Sequence, residues 1–192
     1  YYILAPAEAS SNLARFDGTS WHDVGGAGGR VHGFTIHDGE LIAGGAFGTI
    51  GGIVAPRVAA FDGATWRPLA TTLPGTVKAL ASFHGDLIAA GSFTSVDGQA
   101  AGNIARWDGA QWHAMDGGMD GTVNALVEWQ GELYAGGIFA SAGGEPAANL
   151  ARWDGARWRA VGGGLAGDGL IWGVTALLGT TGDLFVGGDF AT

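Results

Sequence analysis

A phrase of ten residues that occurs four times constrains the fold of this chain more than any other feature. Its copies occupy 12–21, 57–66, 103–112 and 149–158, and each contains an Asp-Gly step. Successive Asp-Gly steps are separated by 45, 46 and 46 residues. A second, glycine-rich phrase keeps the same period at 39–47, 85–93, 131–139 and 182–190. A fixed period of this length predicts an array of similar structural units.

The composition predicts one folded, repetitive domain spanning residues 1–192. The chain is long enough for a sizeable core, and 47% of its residues are hydrophobic, which argues against disorder. Glycine supplies 38 of the 192 residues, well above the usual fraction of roughly 7%. Because these glycines do not recur at every third position, as collagen requires, we expect them to mark many short turns.

The charge of the chain excludes several classes of partner. The formal net charge is −9, and Lys78 is the only lysine. Nucleic acids and anionic membrane surfaces attract basic proteins, so we expect neither as a partner. No apolar run approaches the roughly 20 residues of a membrane-spanning helix. The chain opens at Tyr1 without a signal-peptide pattern, as a processed or excised segment would, and it has no cysteine for disulfides or thiolate metal sites.

Each period contains four strand-like runs, which predicts an all-β fold. Each run is short, rich in aliphatic and aromatic side chains, and bounded by glycine or Asp-Gly. One set comprises Ile104–Trp107, Gln111–Met115, Val123–Trp129 and Glu132–Phe139. Short antiparallel strands that repeat every 40–50 residues or so are typical of β-propeller blades (about four strands each). A β-solenoid is the alternative, although its coils are normally shorter.

The order of motifs in each period resembles the kelch repeat, in the form found in secreted bacterial arrays. One strand ends in a glycine pair, a later strand carries an aromatic residue before Asp, and the next carries Trp. The glycine pairs are Gly44-Gly45, Gly136-Gly137 and Gly187-Gly188, with Ala90-Gly91 as a variant, and the tryptophans are Trp21, Trp66, Trp112 and Trp158. The resemblance covers nearly the whole chain and implies a β-propeller of four-stranded blades in a secreted or extracytoplasmic protein.

The resemblance also implies where each blade begins, because the first kelch strand lines the axis and the glycine pair ends the second. On this basis residues 30–69, 76–115 and 122–161 form three whole blades. Residues 12–24 supply the last two strands of a further blade, and residues 172–190 supply its first two. Pairing these fragments would remove two exposed sheet edges. Three arrangements stay open: closure within one chain, a larger ring shared by several chains, or a piece of a longer array.

Candidate binding residues are expected near the axis, because equivalent positions of a ring converge only there. The residue after the first Val of each inner strand is polar, and the four are His32, Lys78, Asn124 and Thr175. They are the predicted lining of a channel mouth, where Lys78 would bind a polar or anionic group. His32 is the acid–base candidate among them. The alternative is a water-filled, hydrogen-bonded channel without a ligand.

An insertion in the last repeat adds two further candidates. Its five extra residues fall within 163–172. Insertions in repeat proteins map to loops on one face, often the binding face. We therefore include Trp172, as a stacking platform for a sugar ring, and Asp168 among the candidate ligand-binding residues. Alternatively, Trp172 covers the joint between the terminal blade and its neighbour.

The remaining charged residues receive structural interpretations. We expect the Asp of each Asp-Gly step to cap its own turn, and His22 and His113 on the outermost strand to be solvated. Three arginines precede such an Asp by two residues, and we expect these pairs to be local ion pairs between blades rather than ligand clamps; they are Arg15, Arg106 and Arg152. No metal is expected, because the acidic residues lack the clustered oxygens and spacing of a calcium site.

These observations favour a non-enzymatic propeller that binds a glycan or a protein, or that assembles with itself, without a cofactor. The chain lacks a Gly-x-Ser-x-Gly elbow, a His-Glu-x-x-His motif and a P-loop. Without cysteine it also lacks the Tyr–Cys cross-link of the copper enzymes among kelch-like proteins. Two alternatives stay open: a polysaccharide lyase or hydrolase that uses His32 with Asp168, and a structural segment of a larger surface protein.

Overall fold

A computed structural model describes residues 11–165 and 173–190, and every helix or strand assigned in these ranges is a β-strand. The first two strands form a short hairpin, β1 (Arg15–Phe16) and β2 (Trp21–His22). The first repeat then contributes six strands: β3 (Val31–His37), β4 (Glu40–Gly45), β5 (Thr49–Ile50), β6 (Ile53–Val54), β7 (Val58–Phe61) and β8 (Trp66–Pro68).

The second and third repeats reproduce these six strands. The second contains β9 (Gly75–Phe83), β10 (Asp86–Phe93), β11 (Ser95–Val96), β12 (Gln99–Ala100), β13 (Ile104–Trp107) and β14 (Trp112–Ala114). The third contains β15 (Thr122–Trp129), β16 (Glu132–Ile138), β17 (Ser141–Ala142), β18 (Glu145–Pro146), β19 (Leu150–Trp153) and β20 (Trp158–Ala160). The last described strands are β21 (Gly173–Gly179) and β22 (Leu184–Asp189).

Each complete repeat builds one four-stranded antiparallel sheet. The strand orders are β3-β4-β7-β8, β9-β10-β13-β14 and β15-β16-β19-β20. The predicted all-β class and the four main strands of each period are therefore confirmed, with ends that differ by one or two residues. The sequence analysis did not predict the small hairpins β5–β6, β11–β12 and β17–β18, which lie between the second and third main strands.

The hydrophobic core lies between neighbouring sheets. Alternate residues of a central strand face opposite neighbours: Ile42 packs in the cluster shared with the second sheet, and Ala43 packs in the cluster shared with the N-terminal segment. The second and third sheets share a further cluster that includes Ile88 and Leu133. Because both faces of the second main strand are covered, that strand is a nearly continuous apolar run in the sequence.

A tryptophan on the fourth strand joins each sheet to the unit before it. Trp112 is 3% exposed, and its indole N–H donates to the Leu69 carbonyl at 2.7 Å. Equivalent bonds, each 2.8 Å long, join Trp66 to Val24 and Trp158 to Met115. In every case the acceptor lies three residues after the tryptophan of the preceding unit. The indole is therefore packed and hydrogen-bonded at once, which fixes the spacing of the sheets.

The two ends of the series carry incomplete sheets. The first strands β3, β9, β15 and β21 lie side by side in chain order. Within the described residues, β1–β2 and β21–β22 are separate two-stranded sheets. Pairing of these fragments, within one chain or between chains, stays a prediction. Both fragments expose large apolar side chains, among them Trp21 at 63% and Phe185 at 59%.

Candidate functional site

The four polar residues predicted to line the channel mouth share one structural position, a β-bulge in the first strand of each unit. In the second repeat Ala79 lies opposite Ala90 and Val77 lies opposite Gly91, so Lys78 is the extra residue of the bulge. The registers of the other units shift at the same place, around His32, Asn124 and Thr175. Bulges redirect a side chain and are over-represented next to active sites.

The second glycine of each glycine pair makes room for the bulge. A Cβ atom on Gly91 would fall against the backbone carbonyl oxygen of Thr76 on the opposite strand. Equivalent Cβ atoms on Gly45, Gly137 and Gly188 would meet the carbonyl oxygens of Arg30, Thr122 and Gly173, respectively. The glycine is therefore required by the close approach of two backbones at the bulge.

The structure brings two of the four side chains into direct contact. Lys78 Nζ donates to Asn124 Oδ1 at 2.9 Å, and Asn124 Nδ2 donates to the Val174 carbonyl at 2.9 Å. Thr175 is placed differently, because its hydroxyl donates to the Gly187 carbonyl of its own hairpin at 3.3 Å. A line of polar contacts thus crosses the neighbouring first strands from the second unit to the last.

Positive charge gathers where this line reaches the first repeat. Partial burial lowers the pKa of His32, and the nearby Lys78 and Arg30 cations lower it further. His32 is therefore neutral at pH 7 and offers one hydrogen-bond donor and one acceptor. In a chain with a net charge of −9, Lys78 and Arg30 thus place two positive charges near His32.

The other two candidates, Trp172 and Asp168, lie outside the described residues. The insertion that carries them is described up to Leu165, whose N–H donates to the Ala148 carbonyl at 2.8 Å. The sugar-stacking role of Trp172 and the pairing of Asp168 with His32 therefore stay predictions.

The aspartates of the Asp-Gly steps cap their turns, as predicted. Asp108 Oδ1 accepts two backbone N–H bonds, one of them from Gln111 at 2.9 Å, and its Oδ2 lies 2.6 Å from His113 Nε2. The bond from Gln111, followed by that from His113, holds the pKa of Asp108 well below its usual range. The N-terminal hairpin repeats the pair with Asp17 and His22 at 2.5 Å. These histidines are thus partners of turn carboxylates, which their position in the sequence did not predict.

The arginines of the third strands pair across their own sheet. Arg106 Nη1 lies 3.0 Å from Asp86 Oδ2, and Arg152 pairs with Glu132 in the same way. The expected pairing with the Asp two residues later, between blades, was wrong for these two arginines, because each pairs within its own sheet. Because Arg106 lies opposite Ile88, its side chain shares a face with Asp86, two residues before Ile88.

His37 is a buried histidine that the sequence analysis did not single out. The residue is only 6% exposed, and its Nδ1 lies 3.1 Å from Ser82 Oγ on the adjoining strand. Its Nε2 lies 3.5 Å from Asp38 Oδ2 and makes no hydrogen bond. The next two repeats carry Phe83 and Trp129 at this position, so His37 fills a packing slot between sheets. Alignment of the repeats is the sequence signal that identifies this slot.

Comparison with known proteins identifies no family for this chain. No protein-family model matches the chain, and a search of curated proteins finds no match.

In the part of the chain that the structure describes, no three His, Asp or Glu side chains are grouped to hold a metal ion. The same part contains no helix long and apolar enough to cross a membrane.

Proposed function

We propose that this chain is a non-enzymatic β-propeller scaffold, as its kelch-like repeats suggest, and that it binds a glycan or protein partner through its bulged polar row. The observation that carries the proposal is the recurrence of one bulge in four units, at His32, Lys78, Asn124 and Thr175. Side chains at matched places on neighbouring inner strands form one surface, held by a rigid ladder on either side.

Charge indicates what the partner presents to this surface. Lys78 and Arg30 both act on His32, so a single anionic group placed there meets positive charge and a neutral imidazole. Asn124 holds the Lys78 ammonium in place through its amide oxygen. Because the chain as a whole is acidic, ligands with one or a few anionic groups are favoured over extended polyanions.

An array of glycans and peptides, with carboxylated, sulfated and neutral members, tests the proposal. We expect binding to acidic members, and we expect Lys78→Met to weaken it about tenfold or more, because a charge-assisted hydrogen bond is lost. Arg157→Met removes an exposed cation of an outer hairpin and serves as the matched control that binds as the wild type. Equal binding by Lys78→Met, or binding to no member, would contradict the proposal. Cleavage of a bound polysaccharide would indicate the enzymatic alternative.

A further inference from the structure

We infer that the two ends of this chain bind each other in different molecules. The head of one copy, residues 12–36, docks on the tail of a second copy, which consists of Val161 and residues 173–190. This inference deepens the scaffold role proposed above, because it takes the two terminal fragments as halves of one sheet. Strands β4, β10 and β16 each pair with a third strand, whereas β22, in the equivalent position, is paired with β21 alone among the described strands.

The three complete sheets define the register that the new pairing takes. In each of them an alanine of the second strand lies opposite an alanine of the third: Ala43 and Ala59, Ala89 and Ala105, Ala135 and Ala151. The equivalent residues of the two fragments are Val186 on the tail and Ala14 on the head. The head and tail therefore pair with Val186 opposite Ala14.

Charge is complementary along this seam. The second and third strands of complete sheets are joined by the ion pairs Asp86–Arg106 and Glu132–Arg152. The equivalent residues are Asp183 on the tail and Arg15 on the head, both exposed and on separate fragments. In the register above they meet as the other two pairs do.

Exposed apolar side chains at the two ends fit the packing between complete sheets. Phe34 and Ile36 on β3 are 50% and 61% exposed, whereas Leu80, the equivalent of Phe34, packs in the core against the first sheet. Leu178 and Phe185 on the tail are 61% and 59% exposed. Placing the tail of a second copy against β3 covers all four side chains, as neighbouring sheets cover each other elsewhere.

Trp21 supplies a third point of contact. Its equivalents donate their indole N–H to the residue three positions after the tryptophan of the preceding unit, as Trp112 does to Leu69. For Trp21 the preceding unit is the third repeat of the second copy, and the acceptor is the Val161 carbonyl. This contact buries a ring that is 63% exposed in the single chain.

A second copy, not the chain's own tail, is the occupant. The head is held against the first sheet, where Trp66 Nε1 donates to the Val24 carbonyl at 2.8 Å. Among the described strands its hairpin β1–β2 does not pair with β22. The tail packs beside β15 at the other end of the series. A head-to-tail contact of this kind closes a ring when the rotation allows and otherwise extends into longer assemblies.

Charge reversal tests the partner. We expect the wild type to exceed the 19.4 kDa of one chain in light scattering. Arg15→Asp alone and Asp183→Arg alone place like charges at the seam, and each should weaken assembly about tenfold or more. An equimolar mixture of the two variants restores opposite charges at every seam and should restore the mass. Arg157→Asp carries the same charge change at an exposed outer hairpin and should assemble as the wild type.

Three outcomes overturn the inference: a wild type that stays at one-chain mass at all concentrations, an assembly indifferent to both reversals, or variants that the mixture does not rescue. The first result would indicate pairing within one chain, and the last would show that residues 15 and 183 do not meet at a seam. None of them bears on binding by the bulged row, which the array measures separately.

Cysteine cross-linking tests the register independently of charge, because the chain contains no cysteine. We expect a chain with Ala14→Cys and a chain with Val186→Cys to form a two-chain disulfide, since directly opposed strand residues lie within disulfide range. Ala110→Cys, in an exposed turn of the second repeat and away from both fragments, is the matched control and should not cross-link with Ala14→Cys. Equal cross-linking of the control, or none with Val186→Cys, would contradict the pairing of Ala14 with Val186.

Discussion

At the scale of single residues, the second glycine of each pair determines whether the bulge can form. Its Cα lies so close to the opposite strand that any side chain meets a carbonyl oxygen of the backbone. A neighbouring backbone cannot rotate away as a flexible side chain can. Filling this space therefore destabilises the sheet that carries the bulge and shifts the polar side chains beside it.

Gly91→Ala is expected to destabilise the protein by about 1–3 kcal/mol, the usual cost of forcing extra volume into a packed site. The new methyl group would press on the Thr76 carbonyl directly beside Lys78. Gly48→Ala is the control, because no atom lies within 4 Å of a Cβ at that position. Denaturant unfolding of the two variants gives the comparison. A loss in Gly48→Ala as large as that in Gly91→Ala would refute the explanation.

At the scale of elements, the hairpin of the last two main strands in a unit is held by an Asp that caps its own turn; these hairpins are β1–β2, β7–β8, β13–β14 and β19–β20. The same hydrogen bonds recur at Asp17, Asp62, Asp108 and Asp154. They favour the charged carboxylate and lower the pKa of each Asp below its usual value. Because the folded pKa is lower than the unfolded one, the stabilisation is complete above about pH 4 and is lost as the pH falls further.

Asp108→Asn is expected to lower the Tm slightly at pH 7, with the difference from the wild type shrinking as the pH falls from about 5 to 2. Asn retains an oxygen for the turn but not the charge that Gln111 N–H and His113 stabilise. Thermal unfolding across this pH range gives the measurement. His113→Gln keeps the turn and separates the contribution of the imidazole. A difference that does not change with pH would show that the carboxylate charge is not the cause.

At the scale of the whole molecule, the core is divided into clusters, each shared by two neighbouring units. No complete sheet buries both of its faces alone, so the stability of each unit depends on the units beside it. The tryptophan of the fourth strand belongs to this contact between units. Its burial therefore differs along the chain, from 2% exposure at Trp158 and 3% at Trp112 to 63% at Trp21.

Trp112→Ala is expected to cost about 3–5 kcal/mol, the usual price of removing a buried Trp side chain. Trp21→Ala should cost far less in the free energy of unfolding of dilute, single chains, because its ring is already exposed. Chemical denaturation at low protein concentration measures both. Equal losses of stability in the two variants would show that burial of the tryptophan between units does not stabilise the protein.

The regular part of this molecule could be predicted from the sequence, and the irregular part could not. Repeated Asp-Gly turns and apolar runs indicated the main strands, since turns and burial depend on local residue types. The bulge at Lys78 was not predicted, because an extra residue in a ladder depends on which strands pair. The partner of Arg106 was missed for the same reason: only the register places it on the face of Asp86. The small hairpins, such as β11–β12, are too short to give a periodic pattern.

At most strand positions one side chain must pack against its neighbours and also present its chemistry to the surface. At the bulge, the residues of the ladder do the packing and the extra residue presents its side chain. A side chain in the regular ladder is constrained by the neighbours it packs against, so its replacement disturbs the sheet. His, Lys, Asn and Thr all occupy the bulge position here while the ladders on either side keep the same register. The side chain at these four places can therefore change, by natural selection or in a designed library, without a change in the ladders on either side.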